Sequence, residues 1–323
     1  MRVVFFGTPD VAAQCLRALH ASGVEIALVV TQPDRPRGRG LRVTEPPAKL
    51  AARELGIPVF QPSSANAAES LERLAALEPD LFVVVSFGQI FRAPLLGLPR
   101  LGCVNLHFSL LPRHRGAAPV QHALLSGDTV TGVTTMFMDS GLDTGDIIFQ
   151  AEEPILEGDT TQSLMARLAE RGAALLVETV RAIGSGTAPR RPQPHEGATI
   201  APSIRHEQGY VRWSVPAREL CCLRRALGDW PGCVCWFRGE RVRVWDAHPL
   251  EADAQVSAEP GTVVAVTREG LRVRCGEGDL LLTRLQPAGG RVMDARAFAN
   301  GYRVAVGDRF EGEPSTGTGG DLT

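Results

Sequence analysis

The chain has 323 residues, which is too long for one ordinary domain and indicates two, each able to bury a core of its own. With 44% hydrophobic and 22% charged residues, its composition is that of a soluble globular protein and excludes a disordered or fibrous one. The formal net charge of only -2 excludes nucleic-acid binding through overall basicity, so any such binding must rest on local patches.

The cysteines and the apolar runs indicate the compartment. The seven cysteines are odd in number and lack the spacing of a disulfide framework, so reduced thiols in a cytosol are the simplest explanation. They also lack a Cys-x-x-Cys spacing, so no zinc site is expected. No signal peptide precedes the first strand at Arg2, and no apolar run reaches the roughly 18 residues of a membrane span. We expect a cytoplasmic protein with no membrane partner.

Up to about residue 183, short apolar strands alternate with amphipathic helices. This alternation predicts an α/β domain over residues 1–188, with a Rossmann-like parallel sheet and right-handed crossovers. A strand begins at Cys103 and runs into a polar loop. The other predicted strands are 2–6, 25–31, 58–60, 80–86, 131–139 and 147–151, and the predicted helices are 11–21, 47–56, 67–77, 118–126 and 160–183.

The sequence changes character after residue 188. The proline-rich stretch 188–194 has little to pack, and residues 189–208 are predicted to form a linker. Residues 209–310 contain one helix and several short strands with Gly-rich turns, which predict a small antiparallel, OB-like β-barrel. The tail 311–323 has a disordered composition. The predicted helix of this second domain is 217–226, and its predicted strands are 233–237, 241–247, 261–267, 271–275 and 279–286.

Polar side chains occur where the strand from Cys103 ends. Asn105 and His107 are two residues apart and therefore point to the same side of the strand. Asp143 joins them at the carboxyl edge of the sheet if the strands are neighbours, and open α/β sheets bind ligands at that edge. A carboxylate can orient an imidazole, while an amide and an imidazolium can both donate to an oxygen that becomes negative. The trio suits attack on a carbonyl-type carbon, although an Asn-x-His pair can equally be structural.

Three other kinds of site fit the sequence less well. Ser109 lacks the Gly-x-Ser-x-Gly elbow of an activated serine nucleophile. The spacing of the aspartates between residues 139 and 146 does not fit a calcium loop, so no metal is predicted there. Gly7 begins no Gly-x-Gly-x-x-Gly, which argues against a dinucleotide site.

In combination, several motifs resemble those of the 10-formyltetrahydrofolate-dependent formyltransferases. The resemblance runs from about residue 2 to about residue 310, and its more specific segments are similar to the branch of the family that acts on methionyl-tRNA. The general motifs are Asn105-Leu-His107, Ser109-Leu-Leu-Pro112, Arg115-Gly-Ala-Ala-Pro119 and the 141–146 loop, and the specific ones are the segments 7–10, 31–40 and 225–231.

This resemblance implies a role for each motif. Asn105 and the imidazolium of His107 would stabilise the oxyanion, and Asp143 would orient His107. The implied formyl donor is 10-formyltetrahydrofolate, the implied acceptor is methionyl initiator tRNA, no metal is needed, and the protein is expected to be a monomer. The folate-binding residues implied are Phe87, Gly88, Gln89, Ile90, Ser109, Leu110, Leu111 and Pro112.

An arginine-rich segment follows the second strand. Its proline and glycine content excludes a helix or a central strand, so its charge should lie on a loop near the proposed site. The resemblance implies that this loop clamps tRNA, whereas composition alone also allows an ordinary solvated basic loop. The arginines concerned are Arg35, Arg37, Arg39 and Arg42.

Two strands of the second domain carry alternating arginines, Arg241 with Arg243 and Arg272 with Arg274. Their alternation predicts a basic face, which is either an RNA platform or an ordinary wet surface. Three functions therefore compete: formyl transfer to methionyl-tRNA, formyl transfer to a sugar nucleotide or small amine, and noncatalytic RNA binding. The arginine segments favour an RNA acceptor, and the intact trio argues against a noncatalytic protein.

Overall fold

The structure, a computed structural model, describes residues 1–37, 42–253 and 255–312. Arg39 and the predicted tail beyond residue 312 lie outside the described residues. The chain divides into two compact units. The first comprises Met1–Val120, Thr129–Ile155 and Gln162–Pro202, and the second comprises Gln121–Asp128, Leu156–Thr161 and the chain from Ser203 onward.

A seven-stranded sheet forms the centre of the first unit, and a two-stranded hairpin lies apart from it. The helices up to residue 202 are α1 (Asp10–Ala21), α2 (Pro47–Glu54), α3 (Ala68–Ala75), α4 (Ala93–Leu96), α5 (Pro119–Leu125) and α6 (Thr161–Gly184). The strands are β1 (Arg2–Gly7), β2 (Glu25–Val30), β3 (Arg35–Arg37), β4 (Arg42–Thr44), β5 (Val59–Phe60), β6 (Leu81–Val85), β7 (Cys103–His107), β8 (Val130–Phe137) and β9 (Ile147–Pro154).

The central sheet has the order β5-β2-β1-β6-β7-β8-β9. The strands from β5 to β7 are parallel, which confirms the Rossmann-like fold predicted from the alternation. The last two strands differ, because β8 is antiparallel to β7 and β9 is antiparallel to β8. The loop 138–146 between β8 and β9 is too short for a crossover helix, so these two strands form a hairpin.

The strands β1 and β6 lie in the middle of this sheet and form part of its buried core. Their side chains from Val3 to Phe6 and from Leu81 to Val85 are buried, as expected of parallel strands covered on both faces. The ring of Phe6 lies 4.9 Å from that of Phe82 and 5.3 Å from that of Phe87, between centroids. These ring contacts pack β6 and the segment that follows it against β1. None of the helices in the described ranges has the length and hydropathy of a membrane span.

An antiparallel sheet with the order β12-β13-β14-β11-β10-β16 forms the second unit, and β15 pairs with β14. Backbone hydrogen bonds from Val263 to Asp308 and from Phe310 to Gly261 join the two ends of this order, so the sheet curls and closes on itself. Its elements are α7 (Ala217–Leu227), β10 (Cys233–Phe237), β11 (Glu240–Leu250), β12 (Val263–Val266), β13 (Leu271–Arg274), β14 (Asp279–Pro287), β15 (Met293–Asp294), α8 (Ala295–Tyr302) and β16 (Phe310–Glu311).

Two segments differ from the sequence-based expectation. The predicted linker packs against the first unit as far as Pro202, and Arg191 forms a bridge with Ile147 and Ile200 with Arg115. Most residues of the proline-rich stretch 188–194 are nevertheless exposed, so these isolated bridges hold its backbone without burying its side chains. Glu311 pairs with Trp236, so the last strand extends one residue into the predicted tail.

Candidate active site

Asn105 and His107 lie side by side at the end of β7, as their spacing predicts. Asn105 is paired with Val84 of β6 and with Met136 of β8, so it lies in the interior of the sheet. His107 is buried. Among the described residues, no group hydrogen-bonds the side-chain amide of Asn105. An amide with no partner of its own is available to a ligand.

The ring of His107 is held from both sides. Its Nε2 atom lies 2.9 Å from the carbonyl oxygen of His114, and its Nδ1 atom lies 3.6 Å from Oδ2 of Asp143. A carbonyl only accepts hydrogen bonds, so Nε2 carries a hydrogen and donates it. Nδ1 is therefore the ring atom that gains or loses a proton, and it faces the carboxylate.

Two opposing effects set the charge of His107. Burial lowers the pKa of the ring below its ordinary value of 6.5, since the charged form is poorly solvated there. The negative charge of Asp143 and the hydrogen bond to His114 act in the opposite direction, but burial is the larger effect. The resting imidazole is therefore neutral at pH 7. The imidazolium expected from the resemblance forms only when Nδ1 takes up a proton.

The loop between β8 and β9 presents Asp143 to this ring. The Gly116 N–H donates to Oδ2 of Asp143 over 2.8 Å, which fixes the carboxylate. Asp143 has a left-handed backbone with φ of 52°, a conformation that aspartate tolerates better than most residues. A glycine is required two residues later, because a Cβ at Gly145 would overlap the Phe137 carbonyl oxygen. The Asp143 loop thus has a fixed shape.

A residue that the sequence analysis missed contacts the same loop. The side chain of Gln193, in the predicted linker, donates to the carbonyl oxygens of Asp143 and Gly145 and accepts from Arg115. A single polar residue between prolines gives no periodic signal, so its role could not be inferred from the sequence.

The segment 87–90, implied to bind folate, divides by structural role. The ring of Phe87 is buried, and its carbonyl accepts from Thr8 and Gln32. The side chain of Gln89 bonds to the backbone of residues 63 and 65, so it holds the segment in place. Within the described chain, the N–H groups of residues 88–90 have no partner, and the Ile90 side chain is 81% exposed. These N–H groups and Ile90 are the parts available to a ligand.

The segment from Ser109 to Pro112 divides in the same way. The hydroxyl of Ser109 is buried and donates to the carbonyl of Arg113 over 2.6 Å, so it closes a turn. Leu111 is buried in a small apolar cluster, and its carbonyl accepts from Gln150. Leu110 and Pro112 are only partly buried, and the side chain of Leu110 packs over Gly132 of β8. The Ser109 hydroxyl is therefore occupied within the protein, while Leu110 and Pro112 keep part of their surface exposed.

The arginine segment forms the hairpin of β3 and β4, in which Arg35 pairs with Thr44 and Arg37 with Arg42. Arg35 is exposed. Both roots of this hairpin bind one buried cation: Nζ of Lys49 lies 2.6 Å from Asp34 and 2.8 Å from Glu45. We name this group the Lys49 staple.

The predicted basic face of the second unit is partly neutralised. Asp279 is fully buried and forms ion pairs with Arg272 and Arg274 at 2.6 and 2.8 Å. Arg243 donates to the carbonyls of Gly228 and Asp229. These three arginines are structural, whereas Arg241 is exposed. The alternation predicted which face they occupy but not their acceptors.

The thiol of Cys103, two residues before Asn105, stays protonated. Burial raises the pKa of the Cys103 thiol to about 12, so no thiolate forms on β7 near neutral pH. No group of three or more His, Cys, Asp and Glu side chains suited to a metal occurs in the described part of the chain. The trio is a neutral amide, a neutral imidazole and a carboxylate, which together can donate to an oxygen and transfer a proton.

Comparison with known families matches both units. Residues 1–180 match the family described as Formyl transferase, and residues 203–303 match Formyl transferase, C-terminal domain. The chain is 47% identical to the methionyl-tRNA formyltransferase of Moorella thermoacetica, covering 95% of this chain and 98% of that one. It is 44% identical to the methionyl-tRNA formyltransferase of Dechloromonas aromatica, covering 96% of this chain and 99% of that one.

Solved structures share the fold at low sequence identity. The N-formyltransferase from Helicobacter canadensis, in complex with folinic acid and dTDP-3-aminofucose, matches 87% of this chain and 98% of its own, with a TM-score of 0.64 and 16% identity. HypX from Aquifex aeolicus in complex with tetrahydrofolic acid matches 95% of this chain with a TM-score of 0.62 and 15% identity. This chain spans about half of HypX, with 48% coverage.

Proposed function

The chain belongs to the formyl transferase family, and we propose that it transfers the formyl group of 10-formyltetrahydrofolate to the α-amine of methionyl initiator tRNA. The observation that carries this proposal is the similarity of both units, over 95% of the chain, to proteins named methionyl-tRNA formyltransferase. In this proposal residues 1–188 are catalytic and residues 209–310 bind tRNA. The protein acts as a cytoplasmic monomer.

The trio supplies the chemistry. As the amine nitrogen bonds to the formyl carbon, negative charge develops on the formyl oxygen, and the amide of Asn105, which has no partner among the described residues, donates to it. The proton released by the amine moves to Nδ1 of His107, directly or through water. Asp143, 3.6 Å from that atom, stabilises the imidazolium. The positive ring adds to the stabilisation of the oxygen and then returns its proton to the departing folate nitrogen.

The folate site is supported by the groups left without partners. The N–H groups of residues 88–90 are free within the described chain and can pair with a ring amide as they would with another strand. Ile90, Pro112 and the exposed part of Leu110 would supply apolar contacts to the ring. Phe87, Gln89, Ser109 and Leu111 support this surface from within the protein. The site therefore fits a flat heterocycle held mainly by backbone groups.

The tRNA contacts are assigned to the arginine hairpin, whose roots are fixed by the Lys49 staple. Arg35, Arg37, Arg39 and Arg42 supply four positive charges within eight residues of loop. Guanidinium groups bind phosphates with paired hydrogen bonds, so this loop is suited to a sugar-phosphate backbone.

Product analysis tests the proposal. The protein is incubated with 10-formyltetrahydrofolate and methionyl initiator tRNA, with methionyl elongator tRNA and a sugar amine as alternative acceptors, and the products are identified by mass spectrometry. Formylmethionyl initiator tRNA should form fastest. Preferential formylation of the sugar amine would assign the site to small-molecule transfer, and no product from any acceptor would overturn formyl transfer itself.

A further inference from the structure

One side chain connects the two segments that hold His107 and Asp143. Oε1 of Gln193 accepts from Nε and Nη2 of Arg115 over 3.1 and 2.7 Å. Its Nε2 donates to the carbonyl oxygens of Asp143 and Gly145, each over 2.8 Å. Arg115 is itself buried. The amide oxygen and the amide nitrogen of Gln193 are therefore both hydrogen-bonded within the protein.

The orientation of this amide is fixed by chemistry. A guanidinium only donates hydrogen bonds, so the amide oxygen of Gln193 must face Arg115. Backbone carbonyls only accept, so the amide nitrogen must face Asp143 and Gly145. The reversed amide would oppose like groups on both sides. Glutamine therefore makes all of these hydrogen bonds, whereas a glutamate at residue 193 could accept from Arg115 but could not donate to the two carbonyls.

The neighbouring backbone sets the position of His107. The peptide that follows His114 accepts from Nε2 of His107 through its oxygen and donates through the Arg115 N–H to the carbonyl of Thr199 over 2.8 Å. The N–H of His114 donates to the Thr199 hydroxyl, also over 2.8 Å. The segment that carries Gln193 thus also holds the carbonyl that fixes the tautomer of His107.

We propose that Gln193 is a positioning residue for formyl transfer, which together with Arg115 holds Asp143 against Nδ1 of His107. This inference rests on the function proposed above. Gln193 bonds to main-chain oxygens and to a guanidinium, so it acts through the Asp143 loop. Its loss should slow the chemical step and leave substrate binding nearly unchanged, because misplacing a reacting group by about 1 Å can cost about 100-fold in rate.

The sharpest variant is Gln193→Glu. Its carboxylate still accepts from Arg115, but it cannot donate to Asp143 or Gly145, and it places negative charge beside their carbonyls. The expected kcat for methionyl initiator tRNA is about 10- to 100-fold lower, with KM for both substrates within about threefold of wild type. The thermal midpoint should stay near that of wild type because the ion pair with Arg115 replaces the lost bonds. Gln193→Met, which removes all of the hydrogen bonds of the Gln193 amide, should lower kcat at least as much.

His195→Gln is the matched control, because His195 is exposed on the same segment. It should keep the wild-type kcat. A wild-type kcat in Gln193→Glu and Gln193→Met would overturn the positioning role. A loss of kcat accompanied by an equal weakening of both KM values and a lower thermal midpoint would also overturn it, by showing a purely structural role. Wild-type protein inactive on methionyl-tRNA would instead refute the proposed function, so the two failures are distinguishable.

Discussion

Nδ1 of His107 and Oδ2 of Asp143 lie 3.6 Å apart, while the opposite ring nitrogen of His107 is bound to a backbone carbonyl. Two atoms with lone pairs face each other in the resting site, and a proton between them would be stabilised by the carboxylate. The site is therefore arranged to accept a proton at Nδ1 during the reaction and to release it afterwards.

Replacing Asp143 should lower the pKa of His107 further. Burial already holds this pKa below 6.5, and the charge of Asp143 opposes that effect, so Asp143→Asn removes the opposing charge. Histidine titration by NMR, assigned with a His107→Asn variant, should show a wild-type value below 6.5 and a lower value in Asp143→Asn. Asp146→Asn, in the same loop but paired with Arg190, is the control and should leave it unchanged.

The sign of the linked stability follows from the same shift. The folded state binds the His107 proton less tightly than the unfolded chain, so the contribution to stability is present above pH 6.5 and is lost as the pH falls below it. In Asp143→Asn the pKa of His107 in the folded protein is lower still, so the loss of stability should extend to a lower pH. A pKa that rises in Asp143→Asn would show that the carboxylate does not act on the ring.

Asn105→Ala should separate catalysis from stability. The Asn105 amide has no partner in the described part of the chain, so removing it should change the free energy of unfolding by less than about 1 kcal/mol. Loss of a donor to the developing oxyanion should lower kcat by about 100- to 1000-fold. Denaturant titration and steady-state kinetics measure the two effects.

Asn66→Ala is the matched contrast to Asn105→Ala. The side chain of Asn66 donates to the Ile90 carbonyl over 2.8 Å and accepts from the Arg92 N–H over 2.9 Å. Its loss should destabilise the protein and weaken folate binding through the 88–90 segment, with a smaller effect on kcat. If Asn105→Ala behaves like Asn66→Ala, the Asn105 amide is structural.

The periodicity of the sequence predicted much of the fold, because strand and helix spacing follow directly from burial. The predicted strand 233–237 has the same bounds as β10, and Asn105 and His107 share a face because their spacing of two requires it. The helix α8 was missed, since eight residues that include Asn300 and Gly301 give a weak pattern.

What the sequence did not predict are contacts between distant side chains and main-chain groups. Gln193 bonds to carbonyl oxygens, which every residue has, so no residue type identifies its partners. The pairing of Asp279 with Arg272 and Arg274 joins two strands whose register depends on the finished sheet. Motif resemblance indicated the segments at the folate site, but burial was needed to separate the supporting side chains from the available ones.

We expect the Lys49 staple to affect tRNA binding, because it fixes the two ends of the arginine hairpin. Lys49→Met leaves the carboxylates of Asp34 and Glu45 without their shared cation, which should lower the free energy of unfolding. KM for tRNA should rise, while KM for folate should not change. Isothermal unfolding and initial-rate kinetics measure these effects.

Arg53→Met is the control for the staple, since Arg53 contacts the same Glu45 from an exposed position. It should have little effect on either KM. The pKa values of Asp34 and Glu45 are lowered, chiefly by hydrogen bonds from Gln61 and Lys49 respectively, so the stabilisation is present at neutral pH and is lost on acidification through the lowered values. A Lys49→Met protein with wild-type KM for tRNA would show that the Lys49 staple does not affect RNA binding.

Neutralising the arginine hairpin should weaken the dependence of activity on salt. Each arginine that neutralises a phosphate releases counterions, so the slope of log kcat/KM against log salt should fall by about 0.7–0.9 for each phosphate that is no longer neutralised. The triple variant of Arg35, Arg37 and Arg42 to alanine should show a flatter slope and a higher KM for tRNA, with KM for folate unchanged. Arg100→Ala removes an exposed charge beside Asp80, at the amino end of β6 and away from the site, and should keep the wild-type slope. Equal slopes in the triple variant and in Arg100→Ala would mean that the hairpin is an ordinary solvated loop and that the phosphates are bound elsewhere.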